Sequence, residues 1–117
     1  MDKLPEFRVT LTRLKPGEQA YPKDPNVYNP KILGQRTKLG GDPDWDQGDR
    51  ENPPCPSCGN ATTFVAQIDS VEHESATNPH AVDVMSDDQK WMFGDVGMIY
   101  VFFCFDCCQP HTEFECG

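Results

Sequence analysis

No apolar run in this sequence is long enough to cross a bilayer: the longest, Met98 to Phe105, falls far short of the roughly 20 residues a spanning helix needs. The first twenty residues hold Asp2, Lys3, Glu6, Arg8, Arg13, Lys15 and Glu18 and no apolar stretch, so no secretory signal is expected. Basic residues are scarce as well, 10 against 19 acidic ones, for a net charge of −9. A chain so poor in Lys and Arg is badly suited to neutralising phosphates, which argues against nucleic acid as a partner. Also missing are a Gly-rich phosphate cradle and any Ser/His/Asp or Cys/His order in a nucleophile's context, so no enzyme is expected. Hydrophobic residues make up only 37%, and most of the 11 prolines crowd the first half. The expectation is one soluble, cytoplasmic domain over 1–117 whose small core needs a second source of cohesion.

That source is visible in the cysteines. Cys55 and Cys58 lie in Cys-Pro-Ser-Cys-Gly, and Cys104 and Cys107 in Cys-Phe-Asp-Cys, more than forty residues later. In a reducing compartment such pairs read as metal ligands rather than disulfides. Four thiolates at ~2.3 Å close a tetrahedron with no open position, which predicts a structural Zn²⁺ on Cys55, Cys58, Cys104 and Cys107. Cys108 stands where a glycine often follows a knuckle, so the fourth ligand is Cys107 by spacing or Cys108 by adjacency. Cys116 is expected to be a free or weakly buried thiol.

Other chemistries compete for the same residues. Cys-Pro-x-Cys-Gly also occurs in rubredoxins, and a four-thiolate iron would make the chain an electron carrier; the long separation and the lack of a second Cys-x-x-Cys-Gly argue against it. A redox dithiol at Cys55/Cys58 would need a helix N-terminus, whereas Gly59-Asn60 leads into a strand pattern. Pro54-Cys55-x-x-Cys58 and His111-Thr112-Glu113 reproduce both halves of a zinc-deaminase signature in the wrong order, and a second cysteine pair would fill the open position. Asp42-x-Asp44-x-Asp46 begins like a calcium loop but meets Gln47 where Gly is required and Pro53 where Glu should fall. Asn60-Ala-Thr62 matches a glycosylation sequon by coincidence. His73, His80 and His111 are expected at the surface.

Along the chain, Phe7, Val9 and Leu11 alternate with polar residues, which predicts a half-buried strand over 6–14. Residues 15–38 form a Pro-rich irregular arm. Leu39 to Trp45 reads as a tight turn that tucks Trp45 against the body. A second strand is expected over 62–69 and a short one over 81–85. Ser86-x-x-Gln89 has the form of a helix cap. Gly97 to Phe103 is the best central strand, and His111 to Cys116 pairs with it as a hairpin across the second cysteine pair. The fold class expected is α+β and β-rich, a small antiparallel sheet with zinc-ribbon-like knuckles at strand ends.

Four segments in this order, Leu39-Gly-Gly-Asp-Pro-Asp-Trp45, Pro54-Cys55-Pro-Ser-Cys58-Gly, Phe64-Val-Ala-Gln-Ile-Asp69 and Gly94-Asp-Val-Gly97-Met-Ile-Tyr-Val-Phe102 with Cys104, resemble the bacterial YwqG-like (DUF1963) family. They are similar also to the domain it shares with programmed cell death protein 2. The resemblance covers a zinc-binding core at 39–108. It implies a β-rich domain with a non-enzymatic role in binding proteins: eukaryotic relatives escort a ribosomal protein, and bacterial ones are associated with toxin immunity. Typical bacterial members are longer, and the arm matches no family motif.

The sequence therefore predicts an acidic protein-interaction module with one structural Zn²⁺, of an immunity or chaperone type, that masks a basic partner such as a toxin or ribosomal protein. Asp42, Asp44, Asp46 and Trp91 are the candidate partner-binding residues. Asp49 and Glu51 extend the acidic rim, and solubility is its simpler purpose. Core packing is the expected job of Trp45 and Tyr100.

Overall fold

The computed structural model describes residues 3–22, 32–48, 50–72 and 91–116. Four strands form one antiparallel sheet in the order β1 (Lys38–Leu39), β2 (Thr63–Asp69), β3 (Met98–Cys104) and β4 (Gln109–Glu115). No α-helix occurs among the described residues, so the fold seen is all-β and the helical part of the expected α+β class finds no support. The strand over 81–85 and the cap at Ser86 lie outside the described residues. No helix among the described residues is long and apolar enough to cross a membrane.

Three of the sequence's strands stand close to where their patterns put them. β3 is the central one: Met98, Tyr100 and Phe102 alternate onto one face and are wholly buried, each worth about 1.5–3 kcal/mol relative to exposure. β3 and β4 pair from Met98↔Glu115 to Cys104↔Gln109 and form the expected hairpin across the second cysteine pair. β2 pairs with β3 on its other side, Phe64↔Phe102 and Gln67↔Tyr100 sharing the inner face. The register shifts between Phe64 and Ala66, a bulge at Val65 whose carbonyl takes the Gly40 N–H at 2.7 Å. That bond leads the chain from β1 into a turn in which Gly40 and Gly41 adopt φ of 72° and 73°, a region open to glycine at little cost. The turn lays Trp45 on the inner face, its ring centroid 4.5 Å from Tyr100 and 5.7 Å from Phe102, as the sequence predicts.

Two expectations are corrected. Residues 6–14 form no strand, and Val9 and Leu11 are 75% and 69% exposed. Alternation supplies a face but not a neighbour, and without a ladder no strand exists. Lys38–Leu39, assigned to the irregular arm and the turn, instead pairs with Gln67 and Ala66 as an edge strand. Elsewhere in the arm, Tyr21 and Leu33 are buried, and Tyr21 donates to Asp44 at 2.8 Å, so these residues pin the arm to the body.

Far from the cysteines, the end of the sheet where Asp69 faces Met98 is closed by ions. Arg36 is buried and donates twice to Asp69, Nε to Oδ2 at 2.9 Å and Nη2 to Oδ1 at 2.7 Å, and once to Asp46 at 2.5 Å. Asp69 also receives the backbone N–H groups of Gly34, Arg36 and Ser70. Although burial alone would push the guanidinium down, Asp69 and Asp46 hold its pKa above the ordinary arginine value. Asp46 is raised: burial leads, Arg36 opposes it, and the carboxylates of Asp69 and Glu115 add to it. Arg36 thus makes its bidentate pair with Asp69 and leaves Asp46 the weaker share.

Candidate metal centre

Both cysteine pairs sit at strand ends at the opposite limit of the sheet. Cys55 and Cys58 precede β2, Cys104 is the last residue of β3, and Cys107 follows in the turn before β4. The β2–β3 pairing, with Thr63 opposite Phe103, brings the two turns together although more than forty residues separate them. The Sγ atoms of Cys55, Cys58, Cys104 and Cys107 all lie within 4.8 Å of one another. Cys55 is 3.4 Å from Cys107 and Cys58 is 3.6 Å from Cys104.

Those separations carry chemical meaning. A tetrahedron with sulfur ~2.3 Å from its centre has edges of ~3.8 Å, close to both contacts, whereas a disulfide requires ~2.05 Å. All six cysteines are free thiols. The four sulfurs therefore lie in an arrangement that could hold one metal ion, and Cys108 lies outside the group.

The two turns are built alike. In the first, the Cys55 N–H donates to the Asn60 carbonyl at 2.8 Å and the Gly59 N–H returns to the Cys55 carbonyl at 2.9 Å. Gly59 takes φ 76°, and at the matching position of the second turn Cys108 takes φ 56°. Both residues stand directly after the second cysteine of a pair, where this turn demands a left-handed backbone. Cys108 thus fills the glycine position of its knuckle, with its side chain exposed. Between the knuckles, Asn60 donates to Asp106 at 2.9 Å and the Ser57 hydroxyl donates to Gln109.

Electrostatics sets Cys55 apart from Cys58 and Cys107. The backbone N–H groups of Cys58 and Ser57 aim at the Cys55 sulfur and lower its pKa to about 6. Cys107 is pushed up, chiefly by its contacts with Cys55 and Cys104. Cys58 is raised too: the Asn60 amide favours its thiolate, but the sulfur of Cys104, burial and Cys55 outweigh it. The Cys55 sulfur is thus prepared as an anion by the backbone, while Cys107 and Cys58 resist ionising beside it. A dication held by these sulfurs would favour their thiolate forms.

The sequence's partner residues do not share one surface role. Asp42 is exposed. Asp44 accepts from Tyr21 and Lys38 and is tied to Gln67, and Asp46 faces Arg36. Burial, followed by the hydrogen bond to Asp44, raises the Tyr21 hydroxyl above the usual tyrosine value. Trp91 is half-buried, its indole N–H donating to the Pro5 carbonyl at 3.1 Å. Asp49, His73 and His80 lie outside the described residues. His111 is half-buried beside Glu113 at 3.0 Å.

A groove of about 510 Å³ runs beside Trp45, lined by Asp42, Pro43, Arg50, Glu51, Asn52 and Thr62 among others. The Arg50 guanidinium lies over the Trp45 ring, 4.2 Å from its centroid. The sequence reading missed Arg50, which carries no spacing signal relative to Trp45. Among protein-family models, curated proteins and solved structures, none matches the chain.

Proposed function

We propose that this chain is a metal-clasped protein-interaction module, in which Cys55, Cys58, Cys104 and Cys107 hold one structural Zn²⁺ and the groove beside Trp45 receives a basic protein. The observation that carries the first half is the four-sulfur cluster, whose separations approach the edges of a tetrahedral thiolate cage. Such a cage leaves no position for substrate, so the ion's work is cohesion and the module has no catalytic role of its own. Iron fits the same cage and would make the chain an electron carrier. Metal analysis with an absorption spectrum separates the two: one colourless zinc per chain supports the clasp, and a coloured iron centre contradicts it.

The second half rests on charge and on one contact. The chain carries a net charge of −9, and Asp42 and Glu51 line the groove from exposed positions. Arg50 already stacks on Trp45, an arrangement worth about 0.5–1 kcal/mol at an exposed site, and a basic partner's guanidinium would take the face that Arg50 now covers. The resemblance to YwqG-like proteins agrees with this reading and suggests an immunity or chaperone-like role, with a toxin or ribosomal protein as partner. Pull-down at low and moderate salt tests it. A stoichiometric basic protein should be retained by the native chain and lost with Asp42→Lys/Glu51→Lys; the absence of any such partner contradicts the proposal.

A further inference from the structure

Residues 6–14 and the outer edge of β4 are two halves of an unmade strand pairing. The segment has a strand's composition and alternation, yet no strand forms there, and residues 6–20 are exposed throughout. β4 pairs with β3 on one side, and on its other side no strand lies among the described residues. Pro110, Thr112 and Phe114 are exposed, Phe114 by 52%. Past Pro110, which has no N–H, alternate residues of this edge offer N–H and C=O groups to another chain.

The two halves match in polarity and in charge. Phe114 and Thr112 share the outer face of the sheet with Ile99 and Val101, to which they pair. Because side chains alternate with period two, any register that sets Val9 and Leu11 on that face sets Arg8, Thr10 and Thr12 on the face of Glu113 and His111. Residues 6–14 carry Arg8 and Arg13 against Glu6 alone, while β4 carries Glu113 and the turn before it Asp106; Glu115 is buried and accepts the Asp46 N–H. Arg50 reaches Glu113 only at 3.6 Å, from a largely exposed position. Arg8 thus falls on the face of Glu113, and Val9 and Leu11 on that of Ile99 and Val101, the pattern of strand addition.

We propose that residues 6–14 of one copy add as a fifth strand to the β4 edge of a second copy, and that the exchange is reciprocal. A two-fold dimer satisfies both edges at once. The Trp91 to Pro5 bond holds the start of the segment to its own body. This inference concerns a different surface from the groove beside Trp45, and neither depends on the other.

Light scattering on the full, metal-loaded chain over about a hundredfold range of concentration tests the proposal, because a dimer dissociates by mass action. The native chain should show twice its 13.2 kDa mass at the upper end. Val9→Lys/Leu11→Lys, which alters only residues exposed in the monomer, should stay at single mass with an unchanged far-ultraviolet spectrum. Val9→Pro/Thr10→Pro, which removes one ladder N–H in either register, provides the same reading should the double variant misfold. A native chain that stays monomeric throughout overturns the proposal, including the case in which amides 7–13 are protected from exchange because the segment docks on its own β4. A dimer that survives both variants overturns it equally.

Discussion

The two ends of the sheet are closed by different chemistry. Where Thr63 faces Phe103, two cysteine turns converge on four sulfurs; where Asp69 faces Met98, a buried Arg36 binds Asp69 and Asp46. Both devices tie sequence-distant segments across a core built mainly from Phe64, Met98, Tyr100, Phe102 and Trp45. They differ in what they ask of the chain. The ionic end is built from protein atoms alone, while the sulfur end gathers four thiols that could hold a metal ion. On the proposed reading, the domain holds one end of its sheet by itself and relies on a metal ion for the other.

The sharpest way to break this contrast is to remove one sulfur. Cys55→Ser should abolish stoichiometric metal and the cooperative thermal transition, because a structural zinc supplies on the order of 10 kcal/mol, comparable with the whole stability of a domain. Retained metal and an unchanged transition would show that Cys55 is no ligand. At the other end the loss should be smaller. Arg36→Ala leaves Asp69 buried without its cation and should cost about 3–5 kcal/mol in denaturant unfolding, with metal content intact. A cost below ~1 kcal/mol would place the pair's worth near that of a surface bridge.

The ionic end should also respond to acid in a direction the sulfur end does not. Asp46 is raised above 3.8 in the folded chain, so it contributes stability that is present below 3.8 and is lost as pH rises through its folded value. Measured against Asp46→Asn, which shares the same cysteines, the native chain should gain relative stability as pH falls toward 3.8. A difference that stays flat, or runs the other way, contradicts the assignment. The smallest effect concerns Cys108. Its φ of 56° strains a residue with a Cβ, so Cys108→Gly should raise stability by up to about 1 kcal/mol and leave metal binding untouched; loss of metal would instead make Cys108 a ligand.

The contrast also explains what the sequence could and could not reveal. The sulfur end was legible because a two-residue spacing is itself the geometry of a knuckle, and Gly59 marks the turn it needs. β2, β3 and β4 were legible because each alternates beside such a marker. Arg36 left no trace, since its partners lie at unrelated distances along the chain and an Arg or Asp reads as surface until the fold buries it. For the same reason Asp44 and Asp46 looked like an exposed rim, while the folded chain turns both toward cations and amides. The segment at 6–14 failed in the opposite way, having a clear strand pattern with no neighbour in its own sheet.

Elemental analysis of the purified chain, with a thiol count before and after metal removal, tests the central claim most directly. The account predicts one zinc per chain, four of the six thiols shielded while it is bound, and collapse of the near-ultraviolet signal of Trp45 and Tyr100 when a strong chelator takes it away. A chain that keeps its folded signal with no metal and six reactive thiols would contradict it.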